Sequence, residues 1–237
     1  MAFLQPASVV VAPVLAIAAA LLPTTITPQL TRAAALTVPT ENTPRTQAIQ
    51  RACTDGSSTA CHRAVLRAID NARRAEGRKP LKLPPYYFRL TVPQQLLVIA
   101  HLERVDRGLP GFTGLSAKLD LLALEGALSN TLPTGPAAAA WGSNWADGEG
   151  SALLADFDWM YNDGPGSPNV ECTPTNVTGC WGHRLNILGH YGPRPSMGAA
   201  VAKVDGVTSV TELFSSSPAG RLHYRLPKAA TVSPQAR

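Results

Sequence analysis

The stretch GCWGHRLNILG runs from Gly179 to Gly189 and combines a cysteine, a tryptophan, an adjacent His–Arg pair and an asparagine followed by two aliphatic residues. This mixture fits a catalytic site, a metal site or a packing motif. We expect mainly a structural junction, because Ile187 and Leu188 are residue types that enter cores. Burying each of them would stabilise the fold by about 1.5–3 kcal/mol. Only His183 is expected to point into a cavity.

Several other positions of this stretch have structural interpretations of their own. Cys180 is expected to anchor its start through a disulfide to Cys172. Gly182 is expected to let the backbone approach the helix that carries Trp159. Arg184 is expected to pair with a carboxylate.

The composition indicates a globular protein and argues against nucleic acid as a partner. The chain has 237 residues, of which 45% are hydrophobic and 16% charged, with a formal charge of +5. That length is enough for one substantial core. The basic residues are dispersed along the chain, whereas a nucleic-acid surface is normally clustered. We expect no nucleic-acid binding.

The N-terminus predicts export. ASVVVAPVLAIAAALLP, from Ala7 to Pro23, is apolar and uncharged, but it is short for a membrane span and Pro13 interrupts it. We interpret residues 1–36 as a signal peptide or hydrophobic anchor, although no Lys or Arg precedes Ala7. The protein is then secreted or associated with the cell envelope, with membrane attachment only if this segment is not cleaved.

The four cysteines predict two local disulfides, Cys53–Cys61 and Cys172–Cys180. Seven residues separate the members of each pair, a spacing that does not match the two to four residues between ligands of a zinc knuckle. In an exported protein, disulfides are the better interpretation.

Apolar periodicity and capping residues predict four helices. The first starts near Cys61 and ends at Gly77, and the second runs from Thr91 as N-cap to Gly108. The third lies within residues 115–130, and Ser151 caps the fourth. Between the last two, the stretch from Leu132 to Gly150 is interpreted as a loop broken by Gly and Pro.

After the opening stretch the sequence changes to β-periodicity. Residues 197–203 and 209–214 alternate around an Asp-Gly pair, which predicts a β-hairpin. Helices followed by strands predict an α+β sandwich with helices packed on a small sheet. We divide the remaining chain into a flexible linker at 37–60, a helical extension at 61–90, a domain at 91–217 and a loose tail at 218–237.

Four segments together resemble the bacterial, SCP-like branch of the CAP superfamily of cysteine-rich secretory, venom-antigen and pathogenesis-related proteins. They are HLERVDRGLPGF (101–112), GSNWADG (142–148), DWM (158–160) and GHRLNILG (182–189). The resemblance covers about residues 90–216. It implies an α-β-α sandwich with helices on a small antiparallel sheet.

The central cavity departs from the pattern of that family. Members with a complete cavity place two histidines and two acidic residues there and can bind a divalent metal. His183 matches the second histidine, but Gly126, Ser143 and Asn162 stand at the other three positions. We therefore expect no metal and no cofactor, although Glu125, Asp158 and Glu149 are carboxylates that could compensate.

The resulting functional hypothesis is a secreted, non-catalytic binding module with a degenerate cavity. Its partner is an extracellular ligand: a cell-wall polymer, a lipid or a protein. The ligand-facing candidates are His183, Ser143, Asn144, Glu125, Asp158 and Asn162, and no catalytic residue is assigned. The alternative is an extracellular hydrolase of peptide, lipid or cell-wall material that uses His183, with Ser143 as its nucleophile. A carboxylate within hydrogen-bond reach of His183 would favour it.

Overall fold

The structure is a computed structural model that describes residues 38–54, 58–217 and 220–227. Within these ranges the chain forms helices on a five-stranded sheet, an α+β architecture as predicted. The helices are α1 (Gln47–Ala52), α2 (Thr59–Ala75), α3 (Val92–Val105), α4 (Ala117–Leu128), α5 (Ala152–Tyr161) and α6 (Gly182–Leu188). The strands are β1 (Leu115–Ser116), β2 (Trp141–Asp147), β3 (Ser196–Val204), β4 (Val207–Ser215) and β5 (Leu222–Tyr224).

The four predicted helices are present with the expected ends. Ser58 caps α2 by accepting from the Cys61 amide, and Gly77 ends it with a φ of 70°. Thr91 and Gln94 form a capping box at the start of α3. Ser151 caps α5 through the Leu154 amide.

The predicted hairpin is confirmed and is longer than expected. Strands β3 and β4 pair antiparallel from Ser196↔Ser215 to Val204↔Val207. Asp205 and Gly206 form the turn with φ values of 51° and 83°. Two positive φ angles give the turn the twist that a two-residue hairpin needs.

The sheet order is β2-β4-β3-β1-β5, and two of these strands correct sequence predictions. Residues 132–150 were expected to be a loop, but β2 lies within them and pairs with β4 along its whole length. The tail at 218–237 was expected to be loose, but β5 pairs with β1. The sheet is also mixed, because β1 runs parallel to β3.

Helices cover both faces of the sheet. On one face α4 packs Leu119 and Ala123 against Ala200 and Leu213. On the other face Phe214 belongs to the larger core, which includes residues of α1, α2, α3, α5 and α6. Alternate residues of β4 therefore point into two separate hydrophobic clusters.

The segment before α2 differs from the flexible linker that we predicted. Ile49 of α1 is fully buried in the larger core, and Arg45 contacts Asp158. The helical extension at 61–90 shares that core, since Val65 and Ile69 are buried in it too. The described residues from 38 onward therefore belong to one body with residues 91–217. The predicted signal or anchor, residues 1–36, lies outside the described residues.

Both predicted disulfides, Cys53–Cys61 and Cys172–Cys180, are present. The first joins the end of α1 to α2, and the second closes the loop before α6. In the described part of the chain, none of the helices is long and apolar enough to cross a membrane.

Candidate functional site

A cavity of about 630 Å³ lies beside the end of β2. We call it the His183 cavity. Strand β2 contributes Trp145 and Asp147 to its lining, α5 contributes Asp158, and α6 contributes His183. Arg45, from the segment before α1, completes this part of the wall. The sequence predicted three of its members, His183, Asp158 and Asn162, as ligand-facing residues.

His183 is held by a carboxylate that sequence analysis missed. Its ring Nδ1 lies 2.7 Å from Oδ1 of Asp163, and its backbone amide donates to Oδ2 of the same residue at 2.9 Å. Asp163 is buried just beyond the end of α5. Burial raises the pKa of Asp163, and the hydrogen bonds from His183 oppose that shift.

This pairing fixes the chemistry that His183 can offer. With Nδ1–H donating to Asp163, the neutral imidazole has its lone pair on Nε2. Nε2 makes no hydrogen bond to any described residue and is not sealed from solvent. The imidazole can therefore accept a proton or a hydrogen bond from a ligand in the cavity.

Two carboxylates and one guanidinium form the neighbouring part of the wall. Arg45 donates through Nε to both oxygens of Asp158, at 3.2 and 3.1 Å, and through Nη2 to Asp158 and Glu149. Burial and the adjacent Asp158 charge raise the pKa of Glu149 to about 8, against the opposing effect of Arg45. Oε2 of Glu149 is buried and has no hydrogen-bond partner among the described residues.

Asn162 lines the cavity, and its side chain forms hydrogen bonds to other residues of the wall. Its amide donates to Asp158 at 2.7 Å, and its carbonyl oxygen accepts from Asn42 at 2.9 Å. Asn162 therefore ties the segment before α1 to the end of α5. Together with Arg45 it holds Asp158 in one orientation.

Three predicted ligand-facing residues lie elsewhere. Ser143 pairs directly with Leu213 across β2 and β4, so it faces the α4 side of the sheet. Glu125 is exposed on α4 and does not line the cavity. Asn144 is fully buried and donates to the backbone oxygen of His183 at 3.1 Å. Ser143 and Asn144 do not line the cavity because β2 is a strand, which sends successive side chains to opposite faces. Glu125 does not because it lies on the exposed side of α4.

Asn144 leads to a second carboxylate that sequence analysis missed. Its amide also donates to Glu212 at 2.8 Å. Glu212 lies on β4, and burial raises its pKa to about 8. At neutral pH a neutral carboxylic acid therefore lies behind the cavity. The Asn144 side chain connects it to the backbone of His183.

The structure also tests the expected role of each part of GCWGHRLNILG. Ile187 and Leu188 are buried in the core, as predicted. Arg184 pairs with Glu76 at 2.9 Å, which also agrees with the prediction. Gly182 does not provide a close approach, because a Cβ there would meet nothing within 4 Å.

Trp181, the residue before Gly182, makes the backbone turn that leads into α6. It precedes α6 with a φ of 64°, a left-handed conformation that is uncommon outside glycine. Its indole packs against Gly164, where a Cβ would come within 2.4 Å of the ring. Trp181 and Trp159 are buried, Trp145 is partly buried and Trp141 is exposed.

No group of three or more potential metal ligands occurs within the described ranges. Gly126, at the position where the resembled family has a histidine, is buried against Thr131 and Pro133. A Cβ there would lie 2.9 Å from the backbone oxygen of Thr131 and from the nitrogen of Pro133. The local packing has no space for a side chain.

No protein-family model, curated protein or solved structure matches this chain. What this chain binds or does must therefore be inferred from the residues of the His183 cavity. Their arrangement offers one imidazole acceptor and several carboxylates around a partly buried indole.

Proposed function

We propose that this chain is an exported binding module of the CAP, SCP-like type that holds a ligand in the His183 cavity without turning it over. Convergence of the resembling segments supports this proposal. Asn144 of GSNWADG binds the backbone of His183 in GHRLNILG. Trp159 of the DWM segment donates to the backbone oxygen of Trp145 at 3.3 Å. Segments far apart in sequence thus meet at one cavity.

The charge of the cavity lining is the observation that indicates which chemical groups the ligand has. Five carboxylates line the cavity: Asp147, Glu149, Asp158, Asp163 and Glu171. Arg45 is the one arginine among the lining residues that the structure describes, and two of those carboxylates already bind it. Asp163 is occupied by His183 and by the Arg184 amide, so Asp147 and Glu171 are the remaining acceptors. They favour a ligand rich in donors, with amino or hydroxyl groups. Trp145 offers an apolar ring face beside them, an arrangement that suits an amino sugar of a cell-wall polymer.

The position of Ser143 argues against turnover. Ser143 and the Asn144 side chain point to opposite faces of the sheet, and α6 lies on the Asn144 side. Ser143 is therefore not available as a nucleophile for His183. Of the described residues that line the cavity, only Thr131 carries a hydroxyl group, and none is a cysteine.

The test is calorimetric titration with two matched probes, a glucosamine tetramer and its N-acetylated counterpart. The charged tetramer should bind at least tenfold more tightly, because acetylation removes the ammonium groups. Asp147→Asn should weaken that binding several-fold, since Asp147 is at the exposed end of β2. Asp205→Asn, in the hairpin turn, is the matched control. Equal affinity for both probes, or none for either, would refute the proposal.

One observation favours the alternative hydrolase. The 2.7 Å contact between His183 and Asp163 orients an imidazole as a general base is oriented in acyl-transfer enzymes. Release of nitrophenol from a nitrophenyl ester measures this directly. A rate above background that is lost in His183→Gln would favour the enzyme, and equal rates in both proteins would argue against it.

Export is part of the proposal and has its own support. Two disulfides among the described residues suit an oxidising compartment. Intact-mass measurement of the protein recovered from the native host, with and without reductant, checks this. Both disulfides and a shortened N-terminus are expected. Four free thiols would contradict export.

A further inference from the structure

A second cavity, of about 540 Å³, lies between residues 38–43 and the C-terminal part of α2. We call it the arginine cavity. Its polar lining includes Glu76, Arg78, Tyr161 and Arg184. It shares no lining residue with the His183 cavity. A ligand here would therefore be distinct from the ligand of the proposed function.

The arginine cavity adjoins a connected set of ion pairs, which we call the arginine network. Arg73 contacts Glu103 and Asp106, and Arg107 contacts Glu103 and Glu76. Two more arginines, Arg78 and Arg184, join at Glu76, with distances of 3.6 and 2.9 Å. The side chains of Arg73, Glu103 and Arg107 are completely buried.

The arginine network carries one more positive than negative charge. It contains four arginines against three carboxylates. The nearby acid Asp156 does not restore the balance, because burial and the charge of Glu103 raise its pKa well above the ordinary value. Glu41 lines the outer wall of the cavity, but it is exposed and forms no ion pair with any described residue. Excess charge at low dielectric attracts a counter-ion.

Unused donors mark where that counter-ion would sit. Nε of Arg184 and Nε of Arg78 are both buried and make no hydrogen bond to any described residue, although Nε of Arg78 lies 3.6 Å from Oε2 of Glu76. Arg184 is 2% exposed, so its guanidinium is held away from bulk water. Its Nη1 is used by the backbone oxygen of Met160 at 2.7 Å and by Glu76, which leaves the other edge of the guanidinium for a ligand.

We propose that the arginine cavity binds a small oxyanion, a carboxylate or a phosphate-type group, between Arg78 and Arg184. An oxyanion would neutralise the excess charge and accept from the unused guanidinium N–H groups. Planar guanidinium groups match the oxygen spacing of carboxylate and phosphate, and such charge-assisted hydrogen bonds are among the strongest in proteins.

The test titrates the full, disulfide-intact protein with sodium sulfate, phosphate and acetate at constant ionic strength made up with chloride. The readout is the Arg Nε–H signals in a nitrogen–proton correlation spectrum. Saturable shifts are expected with at least one of these anions. Saturation by sulfate and phosphate alone would indicate a tetrahedral anion, and saturation by acetate alone a carboxylate.

Arg78→Met should weaken the saturable binding at least tenfold, and Arg78→Lys should weaken it less because it keeps the charge. Arg78 suits this test because its side chain is 22% exposed, whereas removing the buried Arg184 endangers folding. Arg63→Met, exposed on α2, is the matched control. If no anion saturates, or if Arg78→Met binds as the wild type does, the proposal is overturned. Neither outcome affects the proposed function of the His183 cavity.

Discussion

Glu212 provides the sharpest test of the interior electrostatics. It is completely buried on β4, and its carboxyl accepts a hydrogen bond from Asn144 at 2.8 Å. No arginine, lysine or histidine among the described residues pairs with it. Burial raises its pKa from an ordinary value of 4.5 to about 8. The folded protein thus holds this carboxyl neutral at neutral pH, whereas the unfolded chain ionises it.

The sign and size of the effect follow from linkage. Below pH 4.5 the carboxyl is protonated in both states, so it contributes no pH dependence. Between pH 4.5 and about 8 the unfolded state loses its proton first, so stability falls as pH rises. Since each pKa unit corresponds to about 1.4 kcal/mol, the full penalty above pH 8 is about 2–5 kcal/mol.

Glu212→Gln removes this ionisation while it keeps the shape and an acceptor for Asn144. Urea unfolding of both proteins from pH 5 to pH 9 measures the difference in the free energy of unfolding. The variant should gain about 2–5 kcal/mol relative to the wild type across that range. The raised pKa of Glu149 acts in the same direction, but both proteins contain Glu149, so its effect cancels in the difference.

Glu125→Gln is the matched control, because Glu125 is an exposed carboxylate on α4. Its stability should follow the wild type at every pH. If the Glu212→Gln and wild-type curves run parallel from pH 5 to pH 9, the buried carboxyl does not titrate as argued. The hydrogen bond from Asn144 would then stabilise an ionised Glu212 in the folded protein.

Three further predictions concern packing and covalent links. Leu188→Ala should destabilise the fold by about 2–5 kcal/mol. His183→Ala should destabilise it by less, because His183 lies at a cavity wall. Urea unfolding of the two variants compares them, and a larger loss in His183→Ala would show that His183, not Leu188, is the structural residue. Removing the Cys172–Cys180 disulfide by a double serine substitution should cost about 2–3 kcal/mol, and an unchanged denaturation midpoint would contradict this. Gly126→Ala should destabilise the folded protein by about 1–3 kcal/mol, because its Cβ would press on backbone atoms. An unchanged melting temperature would show that the adjacent loop moves to accommodate the methyl group at no cost.

The elements predicted correctly are those determined by residues close together in the sequence. The Asp205–Gly206 pair, between two alternating segments, specified the β3–β4 hairpin. Ser151, and Gly77 after α2, specified helix ends. Short cysteine separations specified both disulfides. None of these features needs a partner from a distant part of the chain.

Strand β2 was missed because polar residues interrupt both of its faces. Ser143 faces the α4 side, and Asn144 faces a buried carboxylate, Glu212. Without an apolar–polar alternation, and with Gly and Pro on either side, the segment resembles a loop. The error moved Ser143 into the predicted site.

Long-range contacts account for the other errors. The polar segment before α2 looked like a linker, yet Arg45 binds Asp158 across 113 positions of sequence. Asp163 lies 20 positions before His183, in no recognisable motif. Its backbone oxygen accepts from the Trp181 amide at 2.8 Å, which places its carboxylate under the start of α6. Such a contact is visible only once the chain is folded.

Asp163 also explains why the two cavities need separate probes. One of its oxygens receives Nδ1 of His183, and the other receives the backbone amides of His183 and Arg184 at 2.9 and 3.3 Å. His183 lines one cavity, and its neighbour Arg184 lines the other. Changing Asp163 would release the start of α6 and disturb both cavities together. Asp147 and Arg78 each line a single cavity. A substitution at Asp147 therefore tests only the proposal for the His183 cavity, and a substitution at Arg78 tests only the proposal for the arginine cavity.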